Sequence, residues 1–353
     1  MLLDHGADVN YVGKSGSTLA IAAANGNFKL VKLLVERGAD VNRRAGEEDT
    51  TALNGAIISK AGIEIITYLL DNGADVNVRT PQTAPIYDVC YTGDVEILRL
   101  LIERGVELNI SVGNGWTPLH AAYQNAELVR VLLDAGAEID KIHKESGVSA
   151  LFLAALGDHE KTVRVMLQYN ADINLRSHPV AYHQMDGYTA LSSAVLSDRV
   201  DNARLLLEAG ADLDIKHDDG TFILQDVKGE EMMRTVMEFR PDLTLEDEQG
   251  RTVLHSLVFS LPLTKILVHG GCNIDRTDKN GYTPLLGATA LSRVEVMRFL
   301  IKRGANVNAS SAYGSPLNLA CFNTSLEAVK ALVEAGADVD KGWNTHILSL
   351  LMG

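Results

Sequence analysis

Gly115-Trp116-Thr117-Pro118-Leu119-His120-Ala121-Ala122, followed by Leu128-Val129-Arg130-Val131-Leu132-Leu133 and then Gly136-Ala137-Glu138-Ile139-Asp140, decides how this chain folds. Thr117 has the hydroxyl that an N-cap needs to satisfy an orphan backbone N–H, and Pro118 follows at the first helical position, where its missing N–H costs nothing. Leu119 then opens a buried face, and the small Ala121 and Ala122 admit a neighbouring helix. The second apolar run has helical spacing and stops at Gly136, a glycine of the kind that closes helices in the left-handed conformation. The predicted unit is helix, turn, helix, glycine stop and extended connector.

The unit recurs. Its stop and tail return as Gly6-Ala7-Asp8-Val9-Asn10, Gly38-Ala39-Asp40-Val41-Asn42, Gly73-Ala74-Asp75-Val76-Asn77 and Gly105-Val106-Glu107-Leu108-Asn109, and on through Asn170, Gly210, a degenerate Arg240-Pro241-Asp242-Leu243, Gly271, Gly304 and Gly336. Gly6 to Gly336 spans 330 residues in ten steps, a mean period of 33, and such a period signals a stacked array. The helix start recurs in phase as Ser17-Thr18-Leu19-Ala20, Thr51-Ala52-Leu53-Asn54, Ala84-Pro85-Ile86-Tyr87, Ser149-Ala150-Leu151-Phe152, Thr189-Ala190-Leu191-Ser192, Thr252-Val253-Leu254-His255, Thr283-Pro284-Leu285-Leu286 and Ser315-Pro316-Leu317-Asn318.

With these residues in view, the chain resembles the ankyrin repeat family, whose signature is Thr-Pro-Leu-His-x-Ala with a Gly-Ala-Asp-Val-Asn connector. The resemblance covers nearly all of the chain. It implies an all-α, helix-turn-helix solenoid with β-hairpin or loop connectors, expected here as one curved array over 1–353. It also implies that the threonine and histidine of the tetrapeptide hydrogen-bond each other, so Thr117/His120 and Thr252/His255 are read as caps rather than as catalytic or metal-binding pairs. One repeat alone cannot offset the entropy of ordering itself, so neighbours must supply its second face.

Composition agrees with a folded chain: 46% hydrophobic and 22% charged, with only 5% aromatic. The formal charge of −14 repels phosphate backbones and anionic membranes, so no nucleic-acid partner is expected. No apolar run reaches the roughly 18 residues of a membrane span, and the first residues lack the features of a signal peptide. Cys90 and Cys321 stand where other copies carry alanine, and Cys272 follows the glycine stop; all three read as reduced, small core residues of a cytoplasmic chain, with the nucleus as the alternative.

Several places depart from the pattern. A partial repeat occupies 1–10. The connector insert 175–187 contains His178, Tyr182 and His183. The copy over 221–240 is eroded, with Phe222 read at the proline position and Lys228-Gly229-Glu230-Glu231 interrupting the helix; from Asp212 to Arg251 there are twelve acidic and five basic residues, a net −7, and a local stability minimum with a bend is expected. An incomplete last repeat, 341–353, carries Trp343-Asn344-Thr345-His346.

Chemistry is sparse. Gly13-Lys14-Ser15 lacks the earlier glycine of a phosphate loop, because Asp8 stands there. Asp212, Asp214, Asp218 and Asp219 do not fit a calcium loop, since Lys216 and His217 occupy positions that belong to an aspartate and a glycine. His178 and His183 have no further ligands at a definite spacing. No nucleophile, base and anion hole converge, so no catalytic, cofactor or metal residue is assigned and the chain is read as non-enzymatic.

The function implied by the resemblance is a protein-interaction scaffold or adaptor that binds a protein partner through hairpin tips and the concave side of the first helices, as a monomer. Placed on this sequence, that surface takes in Trp116, Tyr188, Tyr282 and Tyr313 near the tetrapeptide. It takes in Tyr91, Tyr123, Leu156 and Phe322 late in the first helix, with Tyr182 and His183 in the insert; the strip from Tyr91 to Tyr188 is its centre. Aromatic side chains bring large contact area at low entropic cost. The alternative is the interaction region of a larger protein, such as a ligase adaptor, a signalling enzyme or a channel.

Overall fold

Thr117 takes an extended backbone with φ −102° and ψ 164°, and its Oγ1 accepts the His120 amide, so a helix begins at Pro118 as the sequence predicts. The paired helix ends at Asp134, and Gly136 closes it with φ 97°, a left-handed conformation that other residues adopt only with strain. This unit repeats through the computed structural model, which describes residues 5–13, 16–46, 49–80, 82–113, 115–177 and 186–340.

Contacts divide the chain into two units, 1–185 and 186–353. In unit 1 the pairs are α1 (Thr18–Ala24) with α2 (Phe28–Glu36), α3 (Ala52–Ile58) with α4 (Ile63–Asp71), α5 (Pro85–Thr92) with α6 (Val95–Glu103), α7 (Pro118–Ala121) with α8 (Ala126–Asp134), and α9 (Ala150–Leu156) with α10 (Glu160–Gln168). First helices pack in series from α1 to α9, and second helices likewise from α2 to α10. The apolar stripes of the two layers close a core in which Leu53, Leu98, Leu101, Leu128 and Leu132 are fully buried. The connectors are hairpins, and one of them forms a short antiparallel ladder between Val12–Gly13 and Gly16–Ser17.

Unit 2 runs from α11 (Ala190–Leu196) and α12 (Val200–Glu208), through a 3-10 turn (Ile223–Asp226) and α13 (Glu230–Glu238), to α14 (Val253–Ser256) and α15 (Leu261–His269). It continues with α16 (Pro284–Ala290), α17 (Val294–Lys302), α18 (Pro316–Phe322) and α19 (Leu326–Glu334). The same two series of contacts hold, with the 3-10 turn seated between α11 and α14. No helix among the described residues is long and apolar enough to cross a membrane.

Two hydrogen-bonded series tie neighbouring repeats together. The last residue of each connector tail accepts the backbone amide of the acidic or amide residue in the next tail: Asp40 N donates to Asn10 Oδ1 at 2.8 Å, Asp75 N to Asn42 at 2.7 Å, Glu107 N to Asn77 at 2.8 Å and Asp172 N to Asp140 at 2.8 Å. Unit 2 repeats this at Asp214, Asp275 and Asn308. The second series leaves the fourth residue of the tetrapeptide: Asn54 Nδ2 donates to Asp88, His120 Nε2 to the Val148 carbonyl and His255 Nε2 to the Tyr282 carbonyl. Asn77→Ala, which removes an acceptor and a donor to the Gly105 carbonyl from a solvent-exposed site, is expected to lower stability by about 1 kcal/mol in urea titration, with the helix content unchanged.

Two sequence expectations need correction. Phe222 does not take the proline position: it occupies the cap itself, extended at φ −144°, and Gln225 Oε1 accepts its amide as His120 Nδ1 accepts that of Thr117. The first helix of that copy is only the 3-10 turn, because Val227 is already extended and Gly229 caps α13, where an added Cβ would come within 2.8 Å of the Asp198 carboxylate. Cys90 and Cys272 are buried as expected, but Cys321 is exposed. α5, which carries Cys90, packs between the first helices α3 and α7, whereas no described first helix follows α18. At the degenerate stop, Arg240 keeps the left-handed backbone at φ 55° without the glycine.

Candidate functional site

Apart from α7 and α14, which are four residues long, the first α-helices run seven or eight residues from their caps, and near that end several copies carry a large side chain. Tyr91, seven residues after Ala84, is 79% exposed; Ile58, at the same offset from Thr51, is 49% exposed. Leu156 holds this place after Ser149 and is half-buried. Tyr123 is half-buried, edge-on to His159 with ring centroids 5.3 Å apart, and its hydroxyl accepts from Gln124 Nε2 at 2.8 Å. In unit 2 Phe259 and Phe322 stand seven residues after Thr252 and Ser315, and Leu291 stands eight after Thr283; all three are exposed. Sequence reasoning missed Ile58, Phe259 and Leu291; counting seven residues from the cap finds Ile58 and Phe259, whereas Leu291 lies one residue beyond that count.

The residues near the tetrapeptide behave differently. Trp116 is half-buried between two imidazoles, 5.5 Å from His120 and 4.4 Å from His143. Tyr188 is buried, its ring stacked flat on His217 at 3.7 Å, so it presents almost no surface. Tyr282 is half-buried and edge-on to Tyr313 at 5.7 Å, while Tyr313 itself is exposed. The structure thus brings Tyr91 and Tyr123 onto one layer of unit 1, keeps Trp116 largely within the hairpin packing, and places Tyr188 in the core of unit 2. Tyr182, His183 and His178 lie outside the described residues, as do Lys14, Ser15 and 341–353.

The cap histidines are neutral by construction. Thr117 N and Oγ1 both reach His120 Nδ1, at 3.4 and 2.7 Å, and Nε2 faces the Val148 carbonyl at 3.0 Å, which fixes the Nε2–H tautomer. Burial pushes the His120 pKa down to about 4, against the opposing pull of the Val148 carbonyl. His255 makes the same bonds to Thr252 and Tyr282 and is likewise lowered, chiefly by burial.

One polar group in unit 2 has the order of a catalytic triad. His217 Nε2 lies 3.1 Å from Ser192 Oγ, while Nδ1 lies 3.1 Å from Thr221 Oγ1 and 3.7 Å from Asp226 Oδ2. Ser192 has no exposed surface and also bonds Thr189, so no substrate carbonyl can reach its oxygen. Burial raises the Asp226 pKa to about 6, with the neighbouring Asp219 adding to the rise and the Tyr188 hydroxyl opposing it. The acidic run around this cluster is largely consumed: Arg204 pairs with Glu238, Arg234 with Glu230, Arg251 with Asp247 and Arg276 with Glu246. Asp214 and Asp219 accept backbone amides.

Comparison with known proteins is consistent with this geometry. A family model described as ankyrin repeats in three copies matches residues 1–80, 86–177, 141–217 and 257–342, leaving out 218–256, where the first helix is reduced to the 3-10 turn. A putative palmitoyltransferase, ZDHHC13, of Danio rerio is 37% identical over 114 residues, 31% of this chain and 18% of that protein. Ankyrin repeat and SOCS box protein 6 of Homo sapiens is 27% identical over 206 residues, 50% of this chain and 49% of that protein. The chain therefore spans less than half the length of either relative. The solved ankyrin repeat domain of human ASB11 superposes with a TM-score of 0.53 at 22% identity, covering 62% of this chain and 97% of that one.

Proposed function

Because the chain belongs to the ankyrin repeat family, a fold of protein–protein interaction modules that is generally non-catalytic, we propose that it is a non-enzymatic scaffold holding a protein partner on the first-helix layer of unit 1. One observation supports this choice of surface above the rest: Ile58 and Tyr91, at the same offset on adjacent helices, are large, mainly apolar and exposed. Tyr123 extends the layer, and Leu156 ends it. Of the candidates in unit 2, Tyr313 and Phe322 have the exposure that contact requires.

Affinity capture with the full chain, read by mass spectrometry, tests the proposal. Ile58→Glu with Tyr91→Glu is expected to lose the proteins that the wild type retains, by at least tenfold in recovered signal, while the unfolding free energy stays within about 0.5 kcal/mol per substitution because both side chains are exposed. Trp116→Ala is expected to lower stability more than capture, since its ring packs on two histidines. An unchanged captured set in the double variant refutes the surface.

A second reading is supported by the coverage of the relatives. ZDHHC13 is named as a palmitoyltransferase and ankyrin repeat and SOCS box protein 6 as a SOCS box protein, and the chain matches 18% and 49% of their lengths. On that reading it is the interaction region of a larger protein whose activity lies outside this sequence. The binding layer and its test are the same.

A further inference from the structure

The first-helix layer of unit 1 is almost without charge in a chain of net charge −14. Among α1, α3, α5, α7 and α9 the only side chain charged at neutral pH is Asp88, which is buried and bonded to Asn54 and Thr83, whereas every second helix of the unit carries at least two. A charge brought against these helices would lose part of its hydration and find no counter-charge on them, the nearest charges being in the loops beyond, such as Lys60 and Asp94, so the side of the occupant that faces the helices is uncharged and apolar.

The dimensions narrow the occupant further. Packed helices lie about 8–10 Å apart, and a helical peptide advances about 10.5 Å in seven residues, so a helix crossing the layer presents one side chain per seven to each helix beneath it. From cap to exposed end the first helices are about 10 Å long, close to the 10–12 Å diameter of a helix with its side chains. A β-strand returns to the same side about every 6.7 Å and falls out of step after one repeat. A polyproline segment keeps step at about 9.3 Å per turn, but repeats its side chains every three residues rather than every seven, which the peptide selection below distinguishes.

We infer that the occupant of the unit 1 layer is an amphipathic α-helix with an uncharged apolar side repeating every seven residues and lysine or arginine on its flanks, an inference that rests on this layer being the binding surface. The basic flanks answer the acidic excess of unit 1 itself, 23 Asp and Glu against 16 Lys and Arg in residues 1–185, a net −7, and speed encounter.

The full chain is panned against a displayed random library of peptides about 28 residues long, which as helices span about 42 Å. Enriched sequences are then made as free peptides and titrated by fluorescence anisotropy against the wild type, Ile58→Glu with Tyr91→Glu, and the milder Tyr91→Ala. Circular dichroism records helix gained on mixing. The expected result is apolar residues recurring every seven positions between basic ones, a helical signal that grows on binding, and affinity at least tenfold weaker in the double variant. Peptides that weaken in the double variant but carry proline every third position, or acidic flanks, overturn the helical, basic occupant while leaving the surface standing. Enriched peptides whose affinity is unchanged in both variants, or no enrichment at all, overturn the surface and the occupant together.

Discussion

Leu119→Ala is expected to lower the stability of the chain by about 2–5 kcal/mol, through the transfer energy of the lost methyl groups and the cavity left behind. Leu119 is 3% exposed and lies on α7, only four residues long, between the Thr117 cap and the Ala122 C-cap. So short a helix has little stability of its own and depends on its buried side. Because α7 joins α5 to α9 in the first-helix series, losing it removes two interfaces, and in a stacked array interface terms carry much of the stability. Urea unfolding followed by circular dichroism checks this. A loss below about 0.5 kcal/mol, the size of an ordinary surface substitution, contradicts the packing described for α7.

Acidification from pH 7 to pH 5 is expected to cost unit 1 about 2 kcal/mol through His120 alone. In the folded chain its pKa is about 4, whereas in the unfolded chain it returns to about 6.5. The unfolded form therefore binds the proton first as pH falls, and the stabilisation present above 6.5 is lost progressively down to 4. His255 contributes with the same sign in unit 2. Asp226 has the opposite sign: its folded pKa of about 6 exceeds that of a free carboxyl group, so its contribution is largest in acid and is lost as pH rises through 6. Asp88 is raised by burial as well and acts in the direction of Asp226. His120→Asn isolates the effect, since asparagine already serves at the same position in Asn54 and Asn318 with its Oδ1 facing the cap. The variant is expected to lack the extra loss of about 2 kcal/mol between pH 7 and pH 5. An identical pH dependence in wild type and variant contradicts the buried, neutral His120.

The repeat framework was legible because its residues act locally. Thr117, Pro118 and Gly136 each fix one backbone event within a few positions, and ten copies in phase leave little freedom in the pairing of helices. What the sequence hid depends on contacts across repeats. Asn10, Asn42 and Asn77 look like polar connector residues until the next amide, some 30 residues on, is seen at their Oδ1. The shift of Phe222 into the cap was unreadable because Thr221 beside it is the better cap by composition; Thr221 instead bonds Asp219. Tyr188 illustrates the same limit at the candidate site. Its position matches that of Trp116, but its partner is His217, 29 residues away, and the stacked pair lies in the core. Aromatic content marked candidates for contact, whereas exposure separated Tyr91 from Tyr188.

The most direct test of the binding layer is hydrogen exchange, resolved by peptide, on the full chain alone and saturated with the tightest protein it captures. The expected result is protection gained in 18–24, 52–58 and 85–92 and in the loops that follow them, with the second helices unchanged. Protection gained instead across 28–36, 63–71 and 95–103 would place the partner on the opposite layer and contradict the account.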